Sequence, residues 1–178
     1  MKLIICISVF LMSFIPVNDK EKVVWKEGKK LSWAMFKGNP ENVSGFVAST
    51  NSGISLSFSV ATRNDEVSIT YTVKSYFYPN DSWYKRGNVN AYILAHEQTH
   101  FDISELFARK LKQKFSEIPQ DSNFKAKAEK VYKQNEQERV AMQHLYDDES
   151  DHSRNETEER AWRIFVAKEL KAYDAWKE

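Results

Sequence analysis

The chain has 178 residues, 26 basic side chains against 25 acidic ones, four histidines and a single cysteine. So even a charge balance, with no basic block interleaved with aromatics, argues against nucleic acid as a partner. One cysteine excludes a disulfide framework, and the length suits one domain rather than several.

Lys2 precedes an apolar run from Leu3 to Ile15, then Pro16 and the charged stretch Asp19 to Lys22. A run this short fits the core of an export signal, since a membrane-spanning helix needs about 20 apolar residues. Residues 1–18 are therefore expected to be a signal peptide, although no A-x-A pattern marks the cleavage point. Residues 19–178 are expected to be one exported domain, periplasmic or extracellular, with no membrane contact beyond the signal. Cys6 lies inside the signal, so the mature domain has no disulfide.

The first half reads as β. Short aromatic-rich segments around Val23 to Trp25 and Leu31 to Phe36 are broken by Gly28 and by Gly38-Asn39-Pro40. Ile54, Leu56, Phe58 and Val60 then alternate with serines. After a turn over Thr62 to Glu66, Val67, Ile69, Tyr71 and Val73 alternate with Ser68, Thr70 and Thr72. A period of two on both sides of a turn predicts an antiparallel hairpin with one core face and one hydroxyl-rich face.

Asn88 is a plausible N-cap for a helix from Val89 to about Phe115, free of internal Gly and Pro. Val89, Tyr92, Ile93, Leu106, Phe107 and Leu111 give it an apolar face. The run His96-Glu97-Gln98-Thr99-His100 lies on this helix and matches H-E-x-x-H. Two histidines four residues apart share a helical face and can reach one zinc ion, with the glutamate as general base over its open side. Burying two imidazoles among aliphatic side chains is costly unless each has a partner, and a metal partners both.

A second helix is predicted from a cap at Asp121 or Ser122 to about Leu145, with Phe124, Ala128, Val131, Met142 and Leu145 as its stripe. Asn135 and Glu138 fall in gaps of that stripe, either behind the zinc cavity or in solvent. A third helix follows Ser153-Arg154-Asn155-Glu156, which fits a capping box, and carries Trp162, Phe165, Val166, Leu170 and Tyr173. The expected fold class is α+β and zincin-like: an antiparallel hairpin, the motif helix, then two further long helices.

Catalytic zinc usually takes three protein ligands. The metzincin continuation is absent, because Ile103 and Leu106 stand where Gly and His are required. His144 lies near a helix end and is expected to be exposed. His152, directly before the Ser153 cap, is placed where a helix start can hold it as a ligand from a distant part of the chain. Glu105, Glu136, Glu138 and Glu156 are the alternatives. Asp102 or Asp147 is a candidate to orient a ligand imidazole, and Tyr146 to donate to an oxyanion.

The stretches Leu31-Ser-Trp-Ala-Met-Phe-Lys-Gly, Ser52-Gly-Ile, His96-Glu-Gln-Thr-His-Phe-Asp-Ile, Glu105-Leu-Phe-Ala-Arg-Lys and Tyr146-Asp-Asp-Glu-Ser-Asp-His152-Ser, with Trp162, resemble a family of bacterial predicted secreted zinc-dependent proteases catalogued as a domain of unknown function. The resemblance covers nearly all of the mature region. That family's late motif has Thr where this chain has Ser150, which keeps the hydroxyl. The resemblance implies export, zinc and His152 as the third ligand.

The function expected is that of a secreted zinc metallopeptidase. His96, His100 and His152 hold Zn2+, Glu97 activates a zinc-bound water, and a peptide or protein is the substrate, paired along an edge strand of the hairpin. Two alternatives stay open: a non-catalytic exported zinc-binding module with a closed four-ligand site, and an amidase acting on cell-wall peptides.

Overall fold

The computed structural model describes residues 21–40, 45–63 and 66–177. The proposed signal peptide and Cys6 lie outside them. The architecture is α+β: antiparallel strands come first and three long helices pack on them.

Strands β1 (Val23–Val24), β3 (Ser52–Arg63) and β4 (Glu66–Phe77) form an antiparallel sheet in the order β1-β4-β3. The hairpin is longer than its alternating core. It runs in unbroken register from Ser52↔Phe77 to Arg63↔Glu66, pairing Leu56 with Val73 and Phe58 with Tyr71. Ile54, Ile69 and Val73 are buried, whereas Ser55, Ser57 and Ser59 are exposed, as the period of two requires. On the outer face Ser59 and Thr70 share a 2.7 Å hydroxyl contact.

A second, two-stranded sheet joins β2 (Ala48–Ser49) to β5 (Trp83–Tyr84). The segment around Leu31 to Phe36 forms a 3-10 turn at Trp33–Met35 instead of a strand. Its aromatic residues pack with Phe77, Tyr84 and Phe101 into a second apolar cluster beside the main core. Gly38 fits here because a β-carbon would lie 2.9 Å from the Ser82 carbonyl oxygen, to which its own N–H donates at 2.8 Å.

Helix α1 (Ala91–Ser116) is the centre of the molecule, touching both hairpin strands and both other helices. Its N-cap is Asn90, not Asn88: the Asn90 side chain accepts the Ile93 N–H at 3.0 Å. From His96 to Leu111 it is buried around most of its circumference, so Gln98, Thr99, Ser104, Glu105 and Arg109 are interior as well as the apolar residues. Each of these polar groups finds a partner. Gln98 accepts the Leu31 N–H and donates to Asp102, and Glu105 pairs with Arg109 at 2.8 Å and accepts from Ser75 at 2.7 Å. Arg109 also donates to the Leu170 carbonyl at 2.7 Å and lies over the Trp25 ring.

Helix α2 (Phe124–Glu149) starts at the first residue of its stripe, with Asn123 instead of Asp121 or Ser122 at the N-cap position, and runs past Leu145, which places Tyr146 and Asp147 in its last turn. Leu145 is exposed and Tyr146 fully buried, so the C-terminal stripe turns one residue beyond the expected position. Asn135 is buried and donates to the Phe107 carbonyl, while Glu138 pairs with Lys114 at 2.7 Å; neither reaches the motif histidines. Helix α3 (Glu156–Ala172) is capped by Asn155, whose side chain accepts the Glu158 N–H. Trp162 and Val166 face the core, but Phe165 is exposed. Among the described residues no helix is long and apolar enough to cross a membrane.

Glu105 thus serves as the counter-charge of Arg109 and lies outside the His96, His100 and Asp147 group. Replacing it (Glu105→Ala) leaves the buried Arg109 guanidinium short of its carboxylate, and is expected to cost about 3 kcal/mol of stability in urea unfolding. Metal stoichiometry should be unchanged.

Candidate metal centre

The i, i+4 spacing on α1 puts His96 and His100 on one face, their rings 4.8 Å apart and edge to face. Both Nδ1 atoms are engaged on the far side. His96 Nδ1 is 2.9 Å from Glu159 Oε2, and His100 Nδ1 meets Gln143 Oε1. The Gln143 amide is oriented by its nitrogen, which donates to the His100 carbonyl at 2.9 Å. With an acceptor at each Nδ1, an imidazole that carries a single proton holds it there and turns its Nε2 lone pair inward.

Those lone pairs converge with a carboxylate. The two Nε2 atoms are 3.2 Å apart, and Asp147 Oδ1 stands 3.3 Å from His96 Nε2 and 3.1 Å from His100 Nε2. Among the described residues, His96, His100 and Asp147 form the group whose ligand atoms lie close enough together to hold a metal ion. Three electron-pair donors aimed at one point repel one another unless a proton or a metal cation lies between them.

Protonation follows the same logic. Burial disfavours the His96 imidazolium, but its ring N–H groups donate to the Asp147 and Glu159 carboxylates, which overcomes that and raises its pKa to about 9. Burial likewise opposes the Asp147 carboxylate, yet contacts with His100 and His96 hold it well below the usual carboxylate range.

Behind His96 lies a buried relay. Glu159, fully buried on α3, accepts the Tyr146 hydroxyl at 2.7 and 2.8 Å on its two oxygens. Burial and the neighbouring Glu159 push the Tyr146 pKa up, so the hydroxyl keeps its proton and donates. The Tyr146 ring stacks on His96 with centroids 4.6 Å apart. Its hydroxyl therefore serves Glu159 and is not presented to the cleft.

The cluster opens on a cleft of about 540 Å³, bounded by β2, α1, the C-terminal half of α2 and the turn after it. Glu97 lines this cleft at 4% exposure, and its Oε2 is buried with no hydrogen-bond partner. A buried carboxylate oxygen without a partner is costly, and the fold keeps one at the wall of this cleft. A larger cavity of about 760 Å³ between α1, α3 and the segment near Trp25 contains none of the cluster residues.

The remaining candidates are accounted for. Asp102 accepts Trp25 Nε1 and Gln98 Nε2, both at 2.7 Å, and does not touch a motif histidine. Glu136 pairs with Arg139 at 3.0 Å, Glu138 with Lys114, and Glu156 is exposed in the first turn of α3. His144 is exposed, as expected. His152 lines the cleft with Nδ1 3.7 Å from Asp147 Oδ1, beside the converging group but not part of it.

Asp147 was readable only as an orienting residue, because its helix is expected to stop before it. Glu159 was missed, although a signal was present: it lies three and seven residues before Trp162 and Val166, in their buried stripe.

Metal binding must displace the proton on His96. Below pH about 9 apparent affinity should fall by about tenfold per unit, and above it should level off, in metal titrations at fixed ionic strength. In Glu159→Gln, which removes one carboxylate from His96, affinity should weaken roughly 10- to 100-fold. The levelling should then come at lower pH.

No curated protein and no solved structure shows a significant match to the chain. A family model described as a bacterial protein of unknown function matches residues 22–153, and the chain belongs to that family, DUF922.

Proposed function

We propose that this protein is an exported zinc-dependent hydrolase of peptide bonds. The observation that carries the reading is the buried, unpartnered Glu97 Oε2 in the same cleft as the His96, His100 and Asp147 donors. Export is supported by the apolar run that precedes residue 19.

The spacing of the donors favours zinc. Ligand atoms bonded tetrahedrally at 2.0–2.1 Å stand about 3.3 Å from one another, and the three observed separations are 3.1, 3.2 and 3.3 Å. Two imidazoles and one carboxylate at the wall of an open cleft are a donor set that would hold a catalytic zinc and leave room for water. Zinc there supplies Lewis acidity, acidifying water and polarising a carbonyl.

The chain's own groups do the rest. Glu159 and Gln143 fix the His96 and His100 rings with Nε2 inward, and Tyr146 fixes Glu159. The Glu97 carboxylate takes a proton from the attacking water and returns it to the departing amine. Residues of β2 line the cleft; this strand pairs with β5 along one edge, which leaves the other for an extended peptide.

Glu97→Gln keeps the side-chain volume and removes the base. It should bind one zinc as tightly as the parent and lose at least 100-fold in turnover of a quenched-fluorescence peptide library. Unchanged turnover rejects Glu97 as the base. Zinc binding without any cleavage by the parent protein rejects the hydrolase and leaves an exported zinc-binding module.

A further inference from the structure

The turn that ends α2 has an unusual backbone. Asp151, His152 and Ser153 are consecutive non-glycine residues with φ of 47, 51 and 70°, in the left-handed region. Side chains other than Gly, Asn and Asp seldom adopt it, and a run of three persists only where surrounding bonds enforce it.

Those bonds are present. The His152 N–H donates to the Asp147 carbonyl at 2.9 Å and the Asp151 N–H to the Asp148 carbonyl at 3.3 Å. This pair of bonds is a Schellman cap, closed between the third-last helical residue and the second residue past the C-cap. Ser150, fully buried, anchors it: its hydroxyl accepts the Ser153 N–H, and its carbonyl accepts the Asn155 N–H at 2.8 Å.

The cap decides where His152 points. Had α2 continued, residue 152 would lie about 140° around the helix from Asp147, away from the metal donors. The left-handed turn brings it back. Its Nδ1 comes to 3.7 Å from Asp147 Oδ1, its ring rests edge-on against Phe46 at 4.8 Å, and it forms part of the cleft wall. Its ring nitrogens make no hydrogen bond to a described residue, and the third donor position beside His96 and His100 is filled by Asp147.

We propose that His152 is a catalytic residue on the substrate side of the centre: its imidazole N–H donates a hydrogen bond to the carbonyl oxygen of the scissile amide as that oxygen gains negative charge. This rests on the hydrolase reading above. The donor is held ready before substrate arrives, which is the condition under which such a bond lowers a barrier, and loss of one such donor costs 10²- to 10³-fold in other hydrolases. Phe46 and the cap fix the ring.

The test is His152→Gly, which removes the imidazole while keeping a residue at ease at positive φ, with His152→Asn as a second variant that also tolerates that backbone. The purified protein is loaded with zinc alone, and zinc affinity is read by chelator competition. The cobalt-substituted absorption spectrum is also recorded, followed by kcat and KM on the library peptide that the parent cleaves fastest. The expected result for both variants is one zinc with affinity within threefold of the parent, an unchanged cobalt spectrum, kcat lower by about 10²-fold or more, and KM within threefold. Zinc affinity lower by 100-fold or more, with an altered cobalt spectrum, would show His152 to be a ligand and overturn the proposal. A kcat within threefold of the parent would overturn it too, while leaving the hydrolase intact. A parent protein that binds zinc and cleaves no peptide fails the hydrolase reading itself, and His152 with it.

Discussion

Burial of α1 around most of its circumference is the constraint on which the rest of the structure depends. A helix covered on one side by a hairpin and on others by α2 and α3 has nowhere to send its polar side chains. Each must find a partner or destabilise the fold by about 1–3 kcal/mol. Gln98, Thr99, Ser104, Glu105 and Arg109 meet that demand with hydrogen bonds to strands, loops and neighbouring turns. His96 and His100 meet it through Nδ1 with Glu159 and Gln143, and turn their Nε2 atoms towards each other and towards Asp147. At the candidate metal centre the rule of satisfied burial is left open at one atom, Glu97 Oε2.

Each covering helix contributes to this arrangement in a different way. α2 brings Gln143 and Asp147, one turn apart, so that one side chain orients His100 and the other faces both Nε2 atoms. α3 brings Glu159 against His96 from the opposite side. The Tyr146 ring lies on His96 with its hydroxyl on Glu159, joining α2 to α3 through the centre's outer layer. The orientation of each histidine therefore depends on a covering helix, His100 on α2 and His96 on α3. The cost of burying Glu159 is met by two donors, His96 and Tyr146, and its pKa accordingly lies below the usual value despite burial.

This division explains what the amino-acid sequence discloses. The hairpin is legible because one face is apolar and the other hydroxyl-rich, and the motif helix because its spacing is both amphipathic and chemical. The choice between Asn88 and Asn90 as N-cap is not legible: both are good caps, and only the packed structure decides which side chain meets the Ile93 N–H. The end of α2 misleads for an electrostatic reason. Asp147, Asp148 and Glu149 sit where the helix dipole disfavours negative charge, so an isolated helix would fray before them. Here two imidazoles compensate Asp147, and Trp162 Nε1 donates to Glu149 at 2.8 Å. Tertiary contacts that no local pattern carries extend the helix by the very turn that holds the third donor. Glu159 differs, because its charge interrupts an apolar stripe, and such an interruption in a buried face calls for a buried partner.

The late stretch Tyr146-Asp147-Asp148-Glu149-Ser150-Asp151-His152 then has a physical reading residue by residue. Tyr146 fills the core and holds Glu159, Asp147 faces the metal donors, and Ser150 ends the helix and ties its end to the start of α3. His152 follows Asp147 by five positions because a Schellman cap brings those two positions together, where an unbroken helix would separate them. In most such caps the juxtaposed pair makes an apolar contact. Here it is an aspartate and a histidine at the rim of a cleft, and the left-handed backbone that brings them together is costly for residues other than glycine. A glycine at either Asp151 or Ser153 would form the same cap with less strain, so capping alone does not account for the side chains found there. What the cap delivers is a fixed distance between a carboxylate already engaged with His96 and His100 and an imidazole free to meet whatever enters the cleft.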